Sequence, residues 1–227
     1  MAHAAPSLAP TSGAEDIYRD KPDSYFGNAR DDIVAMLQPG SSVLEVGCGS
    51  GGTGRAALAA GKASHYVGIE LSEGAAAAAR PGLSEVLVGD VEGLDLSRLS
   101  GKFDAVIASE VLEHLRDPWS VVPRLAACLK PGGRFYASSP NVSHWRVIRE
   151  LLAGRFRYAP VGVMDQTHLR WFTPQSYREL FEAAGLIVES VGPLARTGWK
   201  AKLIGGLSAG RLSHLFAVQI MVVARRP

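Results

Sequence analysis

The sequence has few cysteines, no long apolar run and almost no net charge. Cys48 and Cys128 are its only cysteines, which is too few for a disulfide framework or for a metal site built from thiolates. No apolar run reaches the roughly 18–20 residues that cross a bilayer as a helix. A net charge of +2, without a basic stripe interleaved with aromatic residues, disfavours nucleic acid as a partner. The chain has 227 residues, of which 47% are hydrophobic, and this composition suits one compact domain.

The charge is distributed unevenly along the chain. Residues 1–139 carry 12 Lys and Arg against 17 Asp and Glu, whereas residues 140–178 carry six Arg against only Glu150 and Asp165. Residues 192–227 carry six Lys and Arg and no acid. Residues 1–139 are therefore acidic overall, whereas residues 140–178 and 192–227 are basic.

Short β-branched runs alternate with helical stretches, which predicts an α/β fold with a doubly wound, Rossmann-like, mostly parallel sheet. The predicted strands are 42–46, 65–70, 85–90, 103–109, 133–139, 186–191 and 215–225. The predicted helices are 52–60, 72–80, 118–129 and a helix that Thr173 caps, Pro174 opens and Gly185 ends. Pro123 lies inside the third of these and predicts a late start or a kink.

The alternation of strands and helices is interrupted between residues 140 and 173, after the fifth strand. We expect residues 1–15 to be a flexible N-terminus, and residues 16–227 to form a single domain with a helical lid inserted at about 140–173. The N-terminal stretch lacks the apolar core of a signal peptide, which favours a cytoplasmic protein.

A glycine-rich turn, "VLEVGCGSGGTG", directly follows the first strand. Gly47, Gly49 and Gly52 satisfy the spacing of a dinucleotide fingerprint, so NAD has to be considered. Glu45, two positions before the first glycine, argues against NAD because a carboxylate repels a pyrophosphate. It would favour a ligand that carries an ammonium or sulfonium group.

Two acidic residues at the ends of later strands indicate which other groups this ligand carries. Glu70 ends the second strand and can accept both hydroxyls of a ribose, and Asp90 ends the third and can accept a hydrogen bond from an adenine amino group. A ribose, an adenine and a positive charge without a required phosphate indicate S-adenosylmethionine (SAM).

The chain strongly resembles the class I SAM-dependent methyltransferases over residues of about 25–190. The resemblance rests on the glycine turn, "GDVEGL", "FDAVIASEVLEHLRDP" and "LKPGG". It implies a seven-stranded sheet whose last strand is antiparallel, with SAM at the carboxyl ends of the first strands and S-adenosylhomocysteine as the product. The residues implied to bind the cofactor are Tyr25, Glu45, Gly47, Cys48, Gly49, Gly51, Glu70, Leu71, Asp90, Val91, Ser109 and Glu110.

The insertion resembles a narrower group, the methyltransferase domains found beside or fused to bacterial glycosyltransferases, in its "HLRWF" segment. "PNVSHWRV" is also similar to the MetW family of methionine biosynthesis. The first resemblance covers more of the chain and implies a saccharide-linked acceptor. The arginines would suit an anionic acceptor, although a solvated helical face explains them equally well. The predicted substrate-binding residues are Asn141, Arg146, Arg170 and Trp171.

Histidines supply the candidate catalytic residues. His168 is predicted to be the general base that deprotonates the acceptor, with Asp165 orienting its ring. His144 and His114 are the further candidates, and each of these residues could instead be structural. We predict no metal, because no pair of residues has a ligand spacing backed by carboxylates.

The sequence therefore predicts O-methylation of a polar small molecule, most simply a hydroxyl of a sugar or glycoconjugate. A MetW-like SAM-binding regulator of a partner enzyme and a small-molecule N-methyltransferase are the alternatives. Aromatic and basic residues in the 194–214 segment suggest contact with a membrane surface or a second copy of the chain, and an ordinary loop packed on the sheet is an equal alternative.

Overall fold

The structure, a computed structural model, describes residues 29–194, 208 and 210–227. The predictions for Tyr25, for the N-terminal residues 1–15 and for most of the 194–214 segment fall outside the described residues. The predictions for every other site residue fall within them.

Seven strands form one mixed sheet. They are β1 Ser41–Val46, β2 Ala63–Glu70, β3 Glu85–Val88, β4 Phe103–Ser109, β5 Leu129–Pro140, β6 Ile187–Pro193 and β7 Gln219–Arg225. Their order is β3-β2-β1-β4-β5-β7-β6; the first five pair in parallel, and β7 is antiparallel to both of its neighbours. The predicted seven-stranded Rossmann-like sheet with an antiparallel last strand is confirmed.

Six α-helices flank this sheet in the described part of the chain. They are α1 Asp31–Met36, α2 Gly52–Ala59, α3 Glu73–Ala79, α4 Pro118–Cys128, α5 Trp145–Leu152 and α6 Pro174–Ala183. The predicted boundaries of α6 are confirmed, since Thr173 forms a capping box with Ser176 and Gly185 adopts a φ of +79°. The late start of α4 is wrong: Asp117 caps it and the helix runs from Pro118 through Pro123. None of these helices combines the length and apolar composition that crossing a bilayer requires.

The last predicted strand is shorter than the sequence suggests. β7 begins at Gln219, and Ser213–Phe216 form a 3-10 turn instead. The physical reason is Asn141, whose amide N–H groups donate to the carbonyls of His214 and Ala217 at 2.8 and 2.7 Å. These carbonyls are therefore engaged by the end of β5 rather than by a strand ladder.

Apolar side chains are buried on both faces of the sheet. Consecutive residues of β1 belong to different clusters: Val43 is in the cluster of Ile33 and Tyr66, whereas Leu44 is in the cluster of Phe135. This alternation is what a strand covered by helices on both faces requires.

The insertion after β5 contains one helix, α5, followed by an irregular loop. The loop lies against the chain that leaves β4, because the backbone N–H groups of Leu169 and Arg170 both donate to the Glu113 carbonyl, at 2.8 and 2.9 Å. A bridge between Asn141 and Phe172 closes its base. The insertion is thus held at the carboxyl end of β4.

Candidate active site

The glycine turn between β1 and α2 is held by Glu70. One carboxylate oxygen of Glu70 accepts the N–H of Gly49 at 2.8 Å, and the other accepts the N–H of Ser72 at 2.9 Å. Gly47, Gly49 and Gly51 all have positive φ angles. At Gly47 a Cβ would also meet Val111 at 2.6 Å, so only glycine fits there. The predicted ribose-binding acid therefore stands directly beside the turn.

Glu45 lies beneath this turn and is only 4% exposed. The hydroxyl of Tyr66 donates to its carboxylate at 2.9 Å. Burial raises the pKa of Glu45 to about 7, and the Tyr66 hydrogen bond only partly opposes the shift. The neighbouring Cys48 is also buried, and burial raises the pKa of its thiol. A nearby cationic ligand would favour the ionised form of Glu45.

Asp90 and Val91 follow β3 at the same edge of the sheet. One oxygen of Asp90 accepts the N–H of Glu92 at 2.9 Å, and the other lies 3.4 Å from the guanidinium of Arg116. Val91 is buried, and Leu71, after β2, is half-buried. Acidic and apolar groups thus meet where the adenosine of SAM is predicted to bind.

A polar network joins the ends of β4 and β5. The guanidinium of Arg30 donates to the hydroxyls of Ser109 and Ser138, the latter at 2.9 Å, and the Ser138 hydroxyl donates to Glu110 at 2.7 Å. Gln219 donates to the other Glu110 oxygen at 2.9 Å. Glu110 has a φ of +56°, a rare conformation for a residue with a side chain and one that clusters at functional sites. Sequence reasoning missed Arg30, although Tyr25, five positions earlier, was among the residues implied to bind the cofactor.

Three residues beyond Glu110, an acid and two imidazoles form a second cluster. One ligating atom of each of Glu113, His114 and His168 lies within 4.8 Å of the others. The two rings meet edge to face, with centroids 4.8 Å apart. Spacing along the chain does not reveal this group, because 54 positions separate His114 from His168.

The loop fixes the orientation of both rings. Nδ1 of His168 lies 3.2 Å from the Val163 carbonyl, and Nδ1 of His114 lies 3.2 Å from the Thr167 carbonyl. A carbonyl can only accept, so both bonds require hydrogen on Nδ1 and place the lone pair on Nε2. Asp165 is buried, and its carboxylate accepts the N–H and the hydroxyl of Thr167 at 2.9 and 2.8 Å.

Two other predicted residues serve the architecture of the insertion. The Asn141 oxygen accepts the N–H and the hydroxyl of Ser143, at 3.0 and 2.6 Å, in addition to the two bonds that its amide group donates. Its hydrogen-bonding capacity is therefore used within the fold. His144 caps α5 by accepting the N–H of Arg146, and burial lowers the pKa of its ring.

The arginines of the insertion point in different directions. Arg146 is exposed, with its guanidinium 5.5 Å from the centre of the Trp145 ring. Arg170 instead stacks 5.7 Å from Trp119, donates to the carbonyls of Leu169 and Arg116, and lines a groove of about 350 Å³. Arg170 thus contributes to holding the loop against the α4 side of the domain.

Trp171 belongs to an aromatic group on the outside of the loop. Its indole N–H donates to the Val163 carbonyl at 3.2 Å, the same oxygen that anchors His168. The rings of Phe156 and Tyr158 lie 5.7 and 6.2 Å from it. Both of these rings are exposed at the surface of the insertion.

The comparison with protein families agrees with this geometry. Residues 20–191 match the family described as a methyltransferase domain. The match covers more than half of the chain, and the chain belongs to this family, within the class I SAM-dependent methyltransferases whose fold it has.

Curated relatives are O-methyltransferases of ubiquinone biosynthesis. The protein of Aeromonas salmonicida is 27% identical over 165 residues, which are 67% of this chain and 65% of the relative. That of Aromatoleum aromaticum is 31% identical over 65% of this chain and 64% of the relative. The chain thus spans slightly less than two thirds of the length of these two relatives. The Ralstonia nicotianae protein is 29% identical over 91% of this chain and 86% of its own length.

Solved structures share the fold at lower identity. A Haloferax volcanii methyltransferase, solved with the Trm112 methyltransferase activator, superposes with a TM-score of 0.64 at 21% identity, covering 97% of this chain and all of that one. A SAM-dependent methyltransferase from Mesorhizobium loti gives 0.62 at 21%, over 91% and 99% of the two chains. Phosphoethanolamine N-methyltransferase 2 from Haemonchus contortus, solved with SAM, gives 0.64 at 17%, over 94% and 60%.

Proposed function

We propose that this chain transfers the methyl group of SAM to a hydroxyl of a polar small molecule. One observation carries the proposal. Ser109 and Glu110, where the sulfonium is predicted to lie, are followed within four residues by Glu113 and His114, which meet His168 of the insertion. A few residues after β4 thus connect the cofactor side of the site with a group of acid–base side chains.

On the cofactor side, Glu70 is the residue proposed to bind the ribose. Its two oxygens already accept backbone N–H groups, and each retains a second lone pair for a ribose hydroxyl. Asp90 is proposed to accept the adenine amino group, with Val91 packing against the ring. Arg30, which bridges Ser109 and Ser138, is suited to the carboxylate of the methionine portion.

On the acceptor side, His168 is the proposed general base. Methyl transfer is an in-line displacement, so the enzyme has to align an acceptor oxygen with the sulfonium carbon and help remove its proton. Nε2 of His168 carries the lone pair, because Nδ1 donates to Val163. His114 has the same tautomer and is the neighbouring alternative.

The acceptor is proposed to be a hydroxyl of a sugar or glycoconjugate, and an anionic acceptor suits the basic insertion. The exposed Phe156 and Tyr158 provide faces on which a ring can stack. The names of the curated relatives support O-methylation, and they make hydroxylated intermediates of ubiquinone biosynthesis a second class of acceptor to be tested.

Titration calorimetry and a labelled-methyl assay test the proposal. SAM is expected to bind at micromolar strength and NAD not to bind. Glu70→Ala should weaken SAM binding by about 1.5–3 kcal/mol, the order for a hydrogen bond to a charged group. With labelled SAM, one acceptor class, either nucleotide-linked sugars or hydroxylated ubiquinone intermediates, should acquire a methyl ether that resists alkali.

The outcomes separate the alternatives. Tighter binding of NAD than of SAM would overturn the cofactor assignment. SAM binding without label transfer to either class would favour the MetW-like regulator, and transfer to amines alone would favour N-methylation.

A further inference from the structure

Glu113 is a buried acid without a hydrogen-bond partner for its carboxylate. It is 1% exposed, and neither oxygen makes a regular hydrogen bond within the described residues. The hydroxyl of Ser139 favours its ionised form but lies outside hydrogen-bond geometry and is itself unsatisfied. Burial, followed by the nearby Glu110 carboxylate, raises the pKa of Glu113 well above its ordinary value. An acid in this position needs either a proton or a cation.

Two imidazoles face this acid. Ligating atoms of Glu113, His114 and His168 all lie within 4.8 Å of one another. Each ring donates its Nδ1–H to a backbone carbonyl, of Thr167 or of Val163. This is the outer-shell arrangement typical of metal-binding histidines, because it fixes the tautomer and presents the Nε2 lone pair.

The surrounding charge is negative. The carboxylates of Glu110 and Asp165 both lie close enough to repel that of Glu113 electrostatically. The guanidinium of Arg30 donates to the hydroxyls of Ser109 and Ser138. A divalent cation beside Glu113 would offset this repulsion and satisfy the buried carboxylate at the same time.

We propose that Glu113, His114 and His168 form a binding site for a divalent transition-metal cation, of which Zn²⁺ is the representative. Two imidazole nitrogens and one carboxylate oxygen are a donor set that such ions accept, and three protein ligands leave a coordination position open. In a tetrahedral site, bonds of about 2.0–2.2 Å place ligand atoms roughly 3.3–3.6 Å apart. The three ligating atoms lie within 4.8 Å of one another, so binding would draw them together by up to about 1.4 Å.

The consequence for catalysis rests on the proposed function. A cation here would lie between the predicted sulfonium position and the insertion, and its open position could take an acceptor hydroxyl and lower the pKa of that group. His168 would then act as a ligand rather than as the base.

Metal binding can be measured without SAM and without an acceptor. Untagged protein is stripped with a chelator, titrated with Zn²⁺ by calorimetry, and analysed for metal after gel filtration. Co²⁺ is added to a second sample, because its absorption bands report nitrogen and oxygen ligation. One metal per chain is expected, with affinity lowered about 100-fold or more in Glu113→Gln and in His168→Ala, more than the roughly 10–100-fold typical of losing an outer-shell group.

Control variants make the result decisive. His65→Ala removes an exposed imidazole at the start of β2 and should leave stoichiometry and affinity unchanged. Glu113→Gln keeps the shape of the buried side chain, and circular dichroism confirms folding of each variant. Absence of stoichiometric binding in the wild-type chain, or equal binding in Glu113→Gln and the wild type, would overturn the site and leave Glu113 as a protonated acid. Metal binding without methyl transfer would overturn only the proposed function.

Discussion

In the cofactor half of the site, the proposed ribose-binding acid bonds to backbone groups near the ends of β1 and β2. Glu70 accepts N–H groups from Gly49 and Ser72. In the acceptor half, the contacts connect distant parts of the chain: His168 faces His114, and the loop N–H groups donate to Glu113. One half is built from a short motif, and the other is assembled by folding the insertion back onto β4.

This difference predicts whether a substitution in each half affects SAM binding or turnover. A carboxylate fixed by two backbone N–H groups is preorganised before the ligand arrives, and its loss affects the ligand and the turn together. The acceptor half depends on a loop held by contacts with distant residues, among them the two hydrogen bonds to the Glu113 carbonyl and the bridge between Asn141 and Phe172. Changes in the loop can therefore alter turnover while leaving SAM binding intact, and the following variants test that separation.

The largest effect is expected for His168→Ala. As base or as ligand, His168 acts on the acceptor, so kcat should fall by about 10²–10⁴ while SAM affinity barely changes. Trp171→Phe is the matched control, because it removes the other N–H donor to the Val163 carbonyl and keeps an aromatic ring. It should change kcat only a few-fold. Similar losses of kcat in both variants, or a large fall in melting temperature in His168→Ala, would mean that His168 has a structural role and no direct role in catalysis.

The same comparison explains how much the sequence could predict. The mostly parallel α/β sheet, the glycine turn and the position of Glu70 at the end of β2 were predictable, because the alternation of strands and helices and a local motif encode them. The antiparallel last strand was implied by the family resemblance. The cluster around Glu113 was not predictable, because it depends on how the insertion folds back onto β4. No local sequence pattern indicates that the Leu169 N–H will donate to the Glu113 carbonyl. Arg170 was assigned to the acceptor on charge alone, and charge does not reveal that its guanidinium would stack on Trp119.

A smaller effect is expected from Glu45, and it should appear in stability rather than in turnover. Its pKa is about 7 in the folded protein against an ordinary value of 4.5. The folded state therefore holds the proton more tightly, and stability falls as pH rises from about 4.5 to 7. Glu45→Gln cannot ionise and should remove about 3 kcal/mol of this fall, at 1.36 kcal/mol per pKa unit.

Denaturant unfolding of both proteins at pH 4.5, 6 and 7.5 measures this difference. Subtracting the two curves removes the contributions of other acids, including Glu113, whose raised pKa acts in the same direction. A variant minus wild-type difference that stays constant with pH would mean that folding does not raise the pKa of Glu45.

The smallest effect concerns the arginines of the insertion and tests whether the acceptor half recognises charge. Arg146 is exposed beside Trp145, whereas Arg170 is engaged by two carbonyls and Trp119. With an anionic acceptor, Arg146→Ala should raise the acceptor KM about two- to fivefold, as expected for one exposed charge, and Arg146→Lys should restore most of the loss. Arg170→Ala should instead lower the melting temperature, because it uncovers the carbonyls that its guanidinium binds. The opposite pattern, an acceptor KM that responds to Arg170 and not to Arg146, would show that the loop rearranges when the acceptor binds and that Arg170 then leaves Trp119.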